Sequence, residues 1–302
     1  MSSDTRHIYQ SLFANLAIAV GKGVAAGFSG SGAMLAETLH SFADCGNQIL
    51  LLLGVRQAQR PPDAQHPLGY GRTIYFWSFM VALLLFSGGG MFSIYEGVHK
   101  LWRPEPVSGG LLSIVVLLFS LALEGGSTLS NIKEMRARAK GKPLLQYMRD
   151  TKDSDLVVVF GENAAASLGL VTALIAVGLT AATDSPTWDS IGSILVGIVL
   201  VLVAIFLAVE VKSLLVGEAA DEEIEAAVRK LVLDDPDIDD LNSLVTVQQG
   251  PGEVLVAMKL RFGGDRRTEE VCDIINRFET RLREVCPEIK WCYVEPGKLG
   301  EA

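Results

Sequence analysis

Histidine is scarce in this chain of 302 residues: there are four, His7, His40, His66 and His99, and none follows residue 99. A C-terminal third without imidazole argues against a receptor that senses metal through that segment. The four cysteines, Cys45, Cys272, Cys286 and Cys292, form no CxxC pair. That excludes a zinc ribbon or a disulfide framework, makes a reducing compartment the default, and leaves Cys272, Cys286 and Cys292 only a weak thiolate role. No GxSxG, no P-loop and no GxGxxG after a strand is present, so the chain lacks an enzyme's nucleophile elbow or cofactor loop. Basic charge is also missing from the tail. Residues 218–302 hold 20 acidic and 11 basic side chains against 15 of each in 1–217, so the net charge of −9 belongs to the tail. Such a tail does not suit nucleic acid, which attracts Lys and Arg, and suits a soluble domain that meets cations.

What the chain does have is apolar length. It is 49% hydrophobic and 20% charged, with a mean hydropathy of +0.34. Apolar spans near 8–28, 33–55, 74–99, 109–133, 155–181 and 187–216 each approach the ~20 residues that cross a ~30 Å hydrocarbon core. The expected architecture is an all-α membrane bundle of six helices. The first run reads as a span rather than a cleavable signal, since it lacks a basic start and passes through Gly21 and Gly23 into the second. Loop 56–72 carries Arg56, Arg60 and Arg72; loop 134–152 carries Arg136, Arg138, Lys140, Lys142, Arg149 and Lys152. The opposite loops hold only Lys100 and Arg103, or nothing basic at 182–188. The positive-inside rule then puts both termini on the cytoplasmic side, and the plasma membrane is the default location.

The tail has another rhythm. Residues 221–235 carry a helical stripe of Ile224, Ala227, Val228, Leu231 and Val232 behind an acidic first turn. "LVTVQQ" and "EVLVAMKLRF" read as strands around the turn Gly250-Pro251-Gly252, 267–286 as a second amphipathic helix, and 289–295 as a closing strand. The order α-β-β-α-β predicts a small α+β domain of ferredoxin-like or heavy-metal-domain-like kind, with helices on one face of an antiparallel sheet. The expected division is a transport domain, 1–217, and a cytoplasmic domain, 218–302.

Polar residues within the spans are costly and need a reason. His40 and Asp44 stand four apart, on one face of a helix, with Asn47 and Gln48 one turn on. Glu162 and Asn163 interrupt the fifth span, Glu124 sits in the fourth, Asp189 opens the sixth after Pro186, and Glu210 lies near its end. An imidazole and two carboxylates, with an amide oxygen or water, satisfy Zn²⁺, and the mixture is hard enough for Mn²⁺ or Fe²⁺. Asp189 at a helix start suits capping or the helix dipole. Gly and Ser in "GKGVAAGFSGSGA", "SGGG" and "AAAS" let helices approach closely and slide.

With "AETLHSFADCGNQ", "HPLGYGR", "WDSIGSILVG" and the α-β-β-α-β tail, the chain resembles the cation diffusion facilitators over nearly its whole length. The resemblance implies export of a divalent metal, zinc first and manganese, cobalt, nickel or iron as alternatives, in exchange for protons. His40 and Asp44 match the family's (H/D)xxxD element. In the fifth helix the matching positions are Val159 and Asn163, so the second half-site departs from the pattern and Glu162 is the nearest charge. The implied metal set is His40, Asp44, Glu162 and Asn163, with Glu124 beside them. A peripheral site in the family would fall on Asp63, His66 and Tyr70, where tyrosine is a poor substitute. The tail is implied to dimerise the chain. A transporter of another cation and a membrane metal sensor are the rival readings; no resident cofactor is expected.

Overall fold

The computed structural model describes residues 3–104, 110–139, 141–151, 154–264 and 266–297. Lys140 and Lys152 of the basic loop lie outside the described residues. The chain forms two compact units. The first holds the described residues up to Gly54 and those within Phe76–Arg149 and Ser154–Val211; the second holds Val55–Tyr75, Asp150 and Thr151, and the described residues from Lys212 onward.

In the first unit, α1 (Ser3–Ser29) turns into α2 (Gly32–Ala58) through Gly30 and Ser31. Gly30 sits at φ 64°, a left-handed position that suits glycine, and its N–H closes α1 on the Ala26 carbonyl at 2.9 Å. α3 (Thr73–Leu84) runs through a π-helical segment, Leu85–Met91, into α4 (Phe92–Trp102). α5 (Gly110–Arg138), α6 (Leu144–Asp150), α7 (Ser154–Thr183) and α8 (Thr187–Val216) follow. The short α6 in the basic loop has no counterpart in the sequence reading. Four stretches among the described residues, Thr73–Trp102, Leu111–Arg138, Leu156–Thr183 and Thr187–Val216, are long and apolar enough to cross a membrane. α2 is 27 residues long, but Glu37, Asp44, Asn47 and Gln48 dilute its hydropathy.

Small residues bring backbones together as the sequence leads one to expect. A methyl group at Gly97 would lie 2.7 Å from the Ser190 carbonyl oxygen, and one at Gly197 would lie 2.7 Å from that of Gly90. α4 and the π segment therefore meet α8 at backbone contact distance. Ser93 donates to the Gly89 carbonyl at 2.6 Å, while Ser193 donates to the Ser93 carbonyl at 2.9 Å. Hydroxyls on both helices thus engage the backbone at and just after the wide π turn.

The second unit contains α9 (Glu222–Leu233), β1 (Ile238–Gly250), β2 (Glu253–Phe262), α10 (Thr268–Val285) and β3 (Ile289–Pro296). The sheet order is β1-β2-β3. β1 and β2 pair antiparallel, but β2 and β3 pair parallel, which corrects the expectation of an antiparallel sheet. A strand that returns after a crossover helix runs in the same direction as its partner, and α10 is that helix. Val254, Val256, Met258 and Leu260 alternate along the buried face of β2 and share one core with Val228 and Val232 of α9 and Ile274, Phe278 and Leu282 of α10.

Asp235, after α9, has a fully buried carboxylate that accepts from Arg281 at 2.9 Å and Arg277 at 3.3 Å. The two guanidiniums reach solvent, so the pairing is worth less than the ~3–5 kcal/mol lost on breaking a fully buried pair. We expect Asp235→Ala to destabilise this unit by about 2 kcal/mol. Labelling of the buried Cys286 and Cys292 against urea concentration, in a Cys45→Ser, Cys272→Ser background, measures it; the midpoint should fall.

Candidate functional site

The helix that carries His40 and Asp44 is pinned at its start from another helix. Asp189 of α8 accepts from the Gly32 and Ala33 N–H groups at 2.5 and 3.3 Å and from the Ser31 hydroxyl. Asp189 stands in the first turn of its own helix, as the sequence suggests for a dipole or capping role, and its carboxylate also caps α2, whose free N–H groups meet it. Lys100 at the end of α4 donates to the Gly30 carbonyl beside it.

One turn and more along α2, a cavity of about 260 Å³ opens among α1, α2, α5 and α7. Asp44, Glu124, Glu162 and Asn163 all line it, with Asn15, Ser41, Gln48 and Asn131 adding polar groups. Ile18, Leu51, Leu123, Val159 and Ala166 form its apolar wall. Three acids from three helices thus face one space.

Each acid has its own polar neighbour. Asp44 Oδ1 lies 3.5 Å from His40 Nδ1. Glu162 accepts from the Asn47 amide at 2.5 Å, and Glu124 accepts from Lys22 at 2.9 Å. His40 is fully buried and does not line the cavity itself; Asn163 does, while its amide donates to the Val159 carbonyl at 2.9 Å. Thr128 ties α5 to α7 through the Asn163 carbonyl at 2.9 Å and Ser167 at 2.7 Å. Both Glu162 and Asn163 line the cavity. Among the described residues no three His, Cys, Asp or Glu side chains converge as a ready metal cage. Instead the site has a surplus of acceptors: Glu124 Oε2, Asn47 Oδ1, Gln48 Oε1 and Asp44 Oδ1 are buried with no hydrogen-bond donor. Such a surplus favours a cation.

The sequence reading passed over Lys22 and Glu37. Lys22 lies fully buried in α1 and donates to Glu37 at 3.3 Å and Ser41 at 2.8 Å as well as to Glu124. The signal was present: an ionisable residue inside an apolar span is a functional candidate by default. Lys22 was hidden between two glycines read only as packing residues.

Asp63 and His66 belong to the other unit, in the stretch between α2 and α3. Asp63 accepts from the Gln65 and His66 N–H groups at 2.9 and 2.7 Å and from the Tyr70 hydroxyl at 2.7 Å. The Tyr70 hydroxyl thus occupies one Asp63 oxygen, and the His66 and Tyr70 rings lie 4.2 Å apart. The Tyr70 hydroxyl, more than the backbone N–H groups, holds the Asp63 carboxyl below its usual range, and Asp63 pushes the Tyr70 phenol up. In the tail, burial raises the Cys286 thiol and lifts Cys292 to about 11. At neutral pH both are thiols, which weakens the thiolate alternative.

Residues 8–216 match the cation efflux transmembrane domain. The chain belongs to the cation efflux family, the cation diffusion facilitators. It is 35% identical over 239 residues to the mitochondrial proton-coupled zinc antiporter of Xenopus laevis, covering 78% of this chain and 43% of that protein. A metal tolerance protein of Arabidopsis thaliana is 34% identical over 238 residues, 78% of this chain and 52% of the relative. The zinc transporter ZitB of Pectobacterium atrosepticum is 28% identical over 223 residues, 74% of this chain and 65% of the relative. The matched region thus spans about half the length of the first two.

Asp189→Ala strips the cap from α2 and should cost about 1–2 kcal/mol, read as a lower melting temperature in detergent. The Asp63–Tyr70 bond gives a pH window. The carboxyl is depressed, so its contribution is present above the unfolded value near ~4 and is lost as pH falls through the folded value. The phenol is raised, so its contribution is present below ~10 and is lost as pH rises through the folded value. Asp63→Asn should return the Tyr70 phenol toward ~10, followed by phenolate absorbance.

Proposed function

We propose that this chain exports a divalent metal cation, zinc first, in exchange for protons by alternating access. The observation that carries this reading is the cavity lined by acids of three helices, where Asp44 Oδ1 and Gln48 Oε1 are buried without a donor. His40, Asp44, Glu162 and Asn163 are the proposed cargo ligands: an imidazole, two carboxylates and an amide oxygen, a set that suits Zn²⁺ and tolerates Mn²⁺, Fe²⁺, Co²⁺ or Ni²⁺. Metal enters from the cytoplasm, displaces protons held by the imidazole and carboxylates, and leaves when protons return from the other side. Binding requires His40 to turn from its buried position and Asn47 to release Glu162. The names of two of the relatives, a proton-coupled zinc antiporter and a zinc transporter, support the same choice.

The reading extends to the chain's organisation. α1 and α2 join the four apolar stretches to make six spans, with both termini and the basic loops cytoplasmic. Residues 1–217 form the transport domain; residues 218–302 form a ferredoxin-like cytoplasmic domain that pairs two copies of the chain and meets cations with its acidic surface. The chain acts as a transporter and not as an enzyme. The plasma membrane is the first location, and the name of the Xenopus laevis relative puts a mitochondrial membrane second.

Proteoliposomes with a trapped pH dye test the reading. Zn²⁺ should drive proton movement in the wild type, and His40→Ala and Glu162→Ala should each lower it by at least the ~10-fold lost with an outer-shell partner of a metal. Unchanged flux in His40→Ala removes that residue from the site, and no response to any divalent ion favours transport of another cation.

A further inference from the structure

Lys22 uses the three donors of an ammonium on Glu37, Ser41 and Glu124. Two of those partners, Ser41 and Glu124, line the cavity; Lys22 and Glu37 do not. The ammonium therefore sits behind the cavity wall and holds one of its three acids by one oxygen. Glu124 Oε2 and Glu37 Oε1 are buried without a donor, so each carboxylate has a spare oxygen. A methyl group at Gly169 of α7 would meet Glu37 Oε1, so Glu37 lies against α7.

From this we propose that Lys22 sets the ion preference of the cavity by keeping Glu124 out of the cargo's ligand shell. The inference rests on the transport reading above. With Glu124 tethered, the cargo meets Asp44, Glu162, one imidazole and one amide, a four-ligand set with a nitrogen donor, which suits zinc. Released, Glu124 adds one or two carboxylate oxygens and moves the set toward the oxygen-rich, six-ligand shell of a harder ion such as Mn²⁺. Lys22 is a positioning residue here. It touches no cargo and acts through the carboxylate it holds.

Two double variants separate this role from a merely structural one. Lys22→Gln with Glu37→Gln removes one positive and one negative charge and leaves Glu124 free. Lys22→Gln with Glu124→Gln makes the same change in charge and leaves no acid to free. Full-length protein in proteoliposomes with a trapped metal dye gives Zn²⁺ and Mn²⁺ fluxes, and competition of Mn²⁺ against Zn²⁺ binding in detergent reads the same preference without transport. The expected result is a rise of roughly tenfold in the Mn²⁺ to Zn²⁺ ratio in the first variant, with the second within about twofold of wild type. An equal shift in both variants, an unchanged ratio in the first, or a parallel fall of both ions overturns the role of Lys22. A wild type that moves neither ion overturns the transport reading before the variants are compared.

Discussion

A charged ammonium taken out of water inside an apolar bundle costs several kcal/mol unless it is paired and its donors are filled. Lys22 meets that constraint with two carboxylates and a hydroxyl drawn from α2 and α5. Much of the site's arrangement depends on it. Three helices are held at one point, Ser41 and Glu124 are fixed at the cavity wall, and Glu37 reaches toward α7, where a methyl group at Gly169 would meet its Oε1. Seven residues before that glycine, two turns along the same helix, stand Glu162 and its neighbour Asn163. They line the same cavity as Asp44.

The cap on α2 works at the very start of that helix. Asp189 reaches across from α8 and Lys100 closes on Gly30, so the turn between α1 and α2 is fixed by two separate elements. A helix held at its start and crossed by an ion network within the next two to three turns has little freedom to slide along its axis. The polar groups of α2 are presented in a constant register.

Much of this was legible in the sequence. Long apolar runs announce spans because nothing else fills ~20 residues without charge, and the β-branched runs and amphipathic stripes of the tail give its elements in order. The parallel β2–β3 pairing follows from topology and not from any residue. β1 extends back to Ile238 through Asp239, Asp240 and Asn242, poor strand formers that register with β2 holds in place through bulges. At the site, spacing alone brought out His40 and Asp44, since four residues make one helical face. Which acids share a cavity is a matter of which helices are neighbours, and that is why Glu124 and Lys22, 102 positions apart, stayed hidden as a pair.

The π segment settles a matter of angular phase. Along this rod the buried positions run Ser78, Val81, Leu85, Gly89, Ser93 and Gly97. Four successive steps of four residues would wind a buried stripe about 160° around an ordinary α-helix, because each step overshoots a full turn by about 40°. A wide turn that holds one extra residue absorbs about 100° of that drift. Like a vernier, it lets residues spaced by four keep a straight seam against α8, where ordinary helical spacing would have turned the glycines away from the partner they meet.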